Sequence, residues 1–151
     1  MGTRSTTHVY EIDIPLGASH TKVALKKHKP IKVLTLYRQF DGYPSGHGQD
    51  LVDFMKNMTI VNGFGLDDKA GTHANGVGCF AAQLVKYLKD GIGGVYITRP
   101  KAERQQYNYH IYVQGDPQPI IVRVEDGRGK EMFNGTRAEF ANWVKTYGDD
   151  E

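Results

Sequence analysis

Two groups of residues in this sequence have types and spacing that could do chemistry. The first is built on Cys79, the single cysteine among 151 residues. It falls in the first turn of a helix expected from Gly78 to Lys89, where the positive end of the helix dipole lowers a thiol's pKa and favours the nucleophilic thiolate. Turned at about 100° per residue, it lies roughly 160° from the stripe of Ala81, Leu84, Val85 and Leu88, on the polar face with Gln83 and Lys86. His110 has the chemistry of a partner base. It alternates out of phase with Tyr107, Tyr109, Ile111 and Val113 on an expected strand, and Asp116 lies just beyond. Read this way, Cys79, His110 and Asp116 make a cysteine-dependent hydrolase or transferase. The plainer alternative weighs more. A lone cysteine is usually a small packing residue, and six histidines make a chance pairing easy.

The second group is the run YRQFDGYPSGHG over 37–48. It joins a strand end to a helix start through glycines, where free amides attract anions and small residues admit a ligand to the backbone. Arg38, Asp41, Ser45, His47 and Gly48 are the candidate binding residues, for a phosphate or carboxylate. The structural alternative is a tight corner, with Ser45 capping the helix and Tyr37, Phe40 and Tyr43 packed in the core. His47, Asp50 and Asp53 share a spacing too common to indicate a metal. The expectation is no metal and no cofactor.

The opening GTRS of residues 2–5 and the run over 37–48, with NGVGCFAA over 75–82 and FNGT over 133–136, resemble a family of short bacterial and phage proteins. No activity, substrate or catalytic residue is established for that family. The resemblance therefore implies one intact domain and lends no residue a role.

Two further patterns suggest ligands. Gly76, Gly78 and Ala81 fit the dinucleotide fingerprint G-x-G-x-x-A, but residues 69–75 before them are not expected to form a strand and no acidic residue ends the strand that follows. Close packing explains these glycines better. Lys22, Lys26, Lys27, Lys29 and Lys32 form a basic run that could meet nucleic-acid phosphate. No aromatic residue interleaves with them to stack a base, and a solvated or edge-protecting role is the commoner one.

The elements that must position these residues follow from periodicity and turn chemistry. Strands are expected over 5–14, 31–40, 95–98, 107–114, 119–125 and 131–133, with a weaker one over 22–25, and 59–61 reads only as a short apolar piece before the glycine-rich connection. Helices are expected over 48–58, where Leu51, Val52, Phe54, Met55 and Met58 make one stripe, over 78–89, and after Thr136. Thr136 and Glu139 form a capping box. On the 119–125 strand, Ile120, Val122 and Val124 should face inward and Ile121, Arg123 and Glu125 outward. The fold class is α+β, a mostly antiparallel sheet of five to seven strands with about three helices packed on it, in one domain over 1–151.

Composition bounds the rest. The formal charge is only +2, with 19 Lys plus Arg against 17 Asp plus Glu, which weighs against a nucleic-acid or membrane-surface protein. No apolar run could span a bilayer, and no signal-peptide stretch follows the N-terminus, so a cytoplasmic location is expected. Together these readings favour a binding or interaction protein over an enzyme. Its partner would be a small anion or another protein, held at the Arg38–Gly48 turn. The Gly71–Gly78 loop would join it if both helix starts lie at one end of the sheet.

Overall fold

The structure, a computed structural model, describes residues 2–12, 29–61, 63, 69, 72–114 and 119–149. The expected strand over 22–25, Asp116, and Lys22, Lys26 and Lys27 of the basic run lie outside them.

Eight strands and three α-helices are described. Their order is β1 (Ser5–Glu11), β2 (Ile31–Arg38), a π-helical turn (Pro44–Gly48), α1 (Gln49–Met55), β3 (Thr59–Val61), β4 (His73–Asn75), α2 (Gly76–Leu88), β5 (Val95–Ile97), β6 (Tyr107–Val113), β7 (Ile121–Asp126), β8 (Glu131–Thr136) and α3 (Arg137–Asp149). Six strands form one sheet in the order β5-β2-β1-β6-β7-β8, and β3 and β4 form a separate parallel pair. Within the large sheet only β1 and β6 run parallel. This is the expected α+β class.

Helices cover one face of the sheet. Val9, Leu36, Tyr109, Ile111, Val122 and Val124 alternate onto that face and pack with Leu51, Phe54 and Met55 of α1. Phe80, Ala81 and Leu84 of α2 and Phe140 and Val144 of α3 complete the cluster. Period-two strands and 3.6-period helices meet here along their apolar sides, which removes the side chains of this cluster from water. The capping box forms as expected. The Thr136 backbone N–H donates to Glu139 Oε1 at 2.9 Å, and the Glu139 N–H donates back to Thr136 Oγ1 at 3.3 Å. The hairpin at Asp126 also closes, with its side-chain Oδ1 accepting from the amides of Arg128 and Lys130.

The opposite face departs from the simple alternation. Arg123 and Glu125, expected to point into solvent, are only 7% and 9% exposed, and Ile121 is fully buried. Topology gives a reason for part of this. β5 lies at one edge of the sheet, and β6 lies three strand spacings away, roughly 14 Å. The chain between them must cross β2 and β1, and it does so over this second face. Its anchors are the Thr98 N–H on the Thr35 carbonyl, and the Gln105 N–H on Asn108 Oδ1. Lys32 Nζ also donates to the Pro100 carbonyl at 2.6 Å, so Lys32 is not a freely solvated member of a basic run.

Candidate functional site

Beneath that crossing segment, strand register gathers a set of polar side chains. His8 stands opposite Thr35 on one side and His110 on the other; His110 stands opposite Arg123, and Asn108 opposite Glu125. The rings of His8 and His110 stack with centroids 4.7 Å apart and planes 10° apart. Tyr10 and Tyr112 extend the stack, their centroids also 4.7 Å apart.

Hydrogen bonding fixes the tautomer of each ring without ambiguity. Glu125 is a carboxylate, held down to about 2 by the hydrogen bond from His110 and by the Arg123 guanidinium, against some burial. It can only accept, so His110 Nε2 carries the proton and donates to Oε1 at 2.7 Å. His110 Nδ1 is then an acceptor, and the Tyr10 hydroxyl donates to it at 2.7 Å. Burial pushes the Tyr10 phenol upward, which keeps that proton in place. Arg123 completes the chain, with Nη1 3.1 Å from Glu125 Oε2 and Nε donating to the Tyr112 oxygen at 3.1 Å.

His8 is fixed from the other side. Asn108 Oδ1 accepts from the Gln105 N–H, while its Nδ2 donates to the carbonyls of Gln105 and Asp126. Its amide orientation is therefore set, and Thr6 must donate to Oδ1 at 2.7 Å. Thr6 Oγ1 in turn accepts from His8 Nε2 at 2.9 Å. This leaves His8 Nδ1 as a bare lone pair. That atom and Thr35 Oγ1, on the directly paired residue, are both buried without a hydrogen-bond partner. Burial first, then His110 and Lys32, pushes His8 down to about 3, so the ring is neutral.

A cavity of about 390 Å³ opens over this floor. His8, Asn108, His110 and Glu125 line its base, and Lys32, Lys101, Glu103 and Arg104 line its rim. A second cavity of about 560 Å³ shares Lys101, Ala102 and Glu103 with it, and continues along the same sheet face past Thr6, Tyr37, Arg99 and Gln105.

The residues singled out from sequence fare differently. Cys79 and His110 do not meet. Cys79 sits on α2, packed against the core on the helix-covered face and 3.3 Å from Gln83 Nε2. His110 faces away from that core, between Tyr109 and Ile111, which point into it, so the sheet separates thiol and imidazole. The dyad is lost because β6 alternates. His110 itself is not on a solvent-facing surface; it is 7% exposed.

The 37–48 turn is a locked corner. The N–H of Gly46 donates to the Tyr43 carbonyl at 2.9 Å, that of His47 to Asp41 at 2.7 Å, and that of Gly48 to Tyr43 at 3.5 Å. These amides are not free for an anion. Asp41 takes a left-handed φ of 58°, and a Cβ on Gly42 would lie within 3 Å of Ser5, Arg4 and Thr3, so the corner is pressed against the start of β1. His47 is fully buried, with both ring nitrogens used. Arg38 Nη1 donates to Nδ1 at 3.0 Å, so Nε2 donates to Thr7 Oγ1 at 2.6 Å. Arg38 also pairs with Asp50 at 2.6 Å. Two details of the corner differ from expectation. Ser45 lies inside a π-helical turn that precedes α1, whose N-cap is Gly48, and Phe40 is 52% exposed while Tyr37 and Tyr43 stand outside the apolar core.

Gly71 lies outside the described residues, but β4 and the start of α2 that follow it are remote from this corner. Arg38 pairs with Val95, and Lys89 Nζ holds the Val95 carbonyl, so α2 ends beside the corner where α1 begins. A 13-residue helix puts its start roughly 18 Å away, which excludes a composite pocket from the two turns.

Sequence reading missed Thr6, His8, Tyr10, Arg123 and Glu125. The signal was present as polar residues at period two in strands otherwise rich in β-formers, but only the β1–β6 and β6–β7 pairings bring them together. Among the described residues, no group of three His, Cys, Asp or Glu is placed to hold a metal, and no helix is long and apolar enough to cross a membrane. Comparison of the chain with protein families, curated proteins and solved structures finds no match.

Proposed function

We propose that this chain is a binding protein, and that its ligand is a small anion held in the cleft between the second sheet face and the β5–β6 crossing segment. The observation that carries this reading is the cavity of about 390 Å³ rimmed by Lys32, Lys101 and Arg104 over a buried, hydrogen-bonded floor. Three cations face two carboxylates there. One of the two, Glu125, is already matched by Arg123. The remaining positive potential stands above a floor of low dielectric, where it attracts an anion more strongly than it would in water.

Binding is better supported than acid–base catalysis. A general base working near neutrality needs a pKa near 7 and a lone pair within reach of substrate. His8 is far too weak a base at about 3. His110 has both nitrogens engaged, with Tyr10 and with Glu125. The 37–48 turn, the first candidate from sequence, has less support because its amides are satisfied internally and Arg38 is engaged by His47 and Asp50.

The test uses inorganic phosphate and citrate as probes with the full chain. Either anion is expected to raise the melting temperature, and Lys101→Glu with Arg104→Glu to abolish the rise. A rise that survives the double reversal would move the site elsewhere.

A further inference from the structure

We infer that the second cavity along the same face takes a planar aromatic ring, so that the ligand of the cleft is an aromatic heterocycle carrying an anionic group. This rests on the anion-binding reading of the cleft and narrows the ligand class. Tyr37 lines the 560 Å³ cavity and stands directly opposite Tyr96 on the neighbouring strand, with ring centroids 6.1 Å apart. Tyr96 is 46% exposed, which leaves part of its ring open to a stacking partner. Lys89 Nζ lies 5.4 Å from the centre of the Tyr96 ring while donating to the carbonyls of Gly93 and Val95, which tethers that ring from one side. A fixed aromatic surface loses little entropy on stacking.

The surroundings suit such a ring. Thr6, Thr98 and Gln105 supply polar edges around the cavity, and Arg99 and Lys101 supply positive charge beside it. Lys101 through Glu103 form a wall common to both cavities, so a ring in one and an anion in the other fit a single ligand lying along the face. Each volume is in the range of small-ligand pockets. Stacking surfaces interleaved with cations are what nucleotides require. The lysine run lacked them as sequence. Folding supplies them instead by setting β2 and β5 side by side, next to the crossing segment.

The experiment compares AMP, ribose 5-phosphate and hexaadenylate as probes of the full chain, by calorimetry and by amide chemical shifts. AMP is expected to bind at least about tenfold tighter than ribose 5-phosphate, with ring-current shifts at Tyr37 and Tyr96. Tyr37→Leu should erase that margin while leaving ribose 5-phosphate affinity unchanged, and Tyr37→Phe should keep it. Hexaadenylate binding tighter than AMP would identify the ring as part of a single strand; equal binding would identify a free nucleotide. Equal affinity for AMP and ribose 5-phosphate, with shifts confined to Lys101 and Arg104, would overturn the ring site and leave the anion cleft standing. Absence of binding by all three would overturn both.

Discussion

His8 is the residue on which the polar face turns. Its Nε2 proton is assigned by a chain of bonds running back to the Asn108 amide, and its Nδ1 lone pair ends that chain with nothing to accept. The hydroxyl of Thr35 beside it is also unpaired. An unsatisfied buried hydroxyl costs about 1–3 kcal/mol, and valine has nearly the same shape and the same liking for strands. Thr35→Val is therefore expected to leave stability unchanged or raise it by up to about 1 kcal/mol, read from urea unfolding. A loss larger than about 1 kcal/mol would show that the hydroxyl is bonded after all. The buried histidines also set the response to acid. His8 and His47 stand at about 3 in the folded chain against an ordinary 6.5, His8 chiefly through burial and His47 through burial and then Arg38. Above pH 6.5 both are neutral folded or unfolded. Below it only the unfolded chain takes up these protons, so stability falls as pH drops from 6.5 towards 3. Each contributes about 1.4 kcal/mol per pH unit, and the two together give a loss of roughly 2–3 kcal/mol between pH 6 and 5. Glu125, lowered to about 2, adds loss of the same sign below its ordinary 4.5. A flat stability profile from pH 6 to 5 would contradict these assignments.

At the scale of elements, local rules succeed where the chain makes its own structure and fail where partners decide. The capping box at Thr136 needs only residues three apart, and α3 begins beside it. Thr136→Ala is expected to cost about 1 kcal/mol in thermal or urea unfolding, and Thr136→Ser very little. Most of the strands were legible in the same local way, from β-branched and aromatic runs bounded by turns. The corner before α1 was not, because its glycines suggested open amides. What fills those amides is the turn's own carbonyls, and what fills His47 is Thr7, 40 residues earlier in the chain. The outward side of β7 misled for a related reason. Arg123 and Glu125 alternate with valines as solvent-facing residues do, yet their partners Tyr112 and His110 are one strand away. A burial pattern set by register is invisible until the strand pairing is known.

For the whole molecule, the sheet divides the labour between its faces. One face holds three helices and the main apolar core; the other carries a polar network roofed by a connection that must cross two strands. That division removes the Cys79–His110 dyad, which needed both residues on one face. It also removes the composite of two glycine-rich turns, which needed two helix starts at one end. The cleft is what remains with volume, charge and a buried polar floor in one place. Its recognition from sequence would have required knowing that β5 and β6 lie apart in the sheet. The most direct measurement is an amide and histidine-ring chemical-shift map of the full chain titrated with inorganic phosphate. Shifts are expected to concentrate at His8, Asn108, His110, Lys101 and Arg104, with the His8 Nδ1 signal moving and the 42–48 amides still. Shifts concentrated at 42–48, with the cleft unmoved, would contradict it.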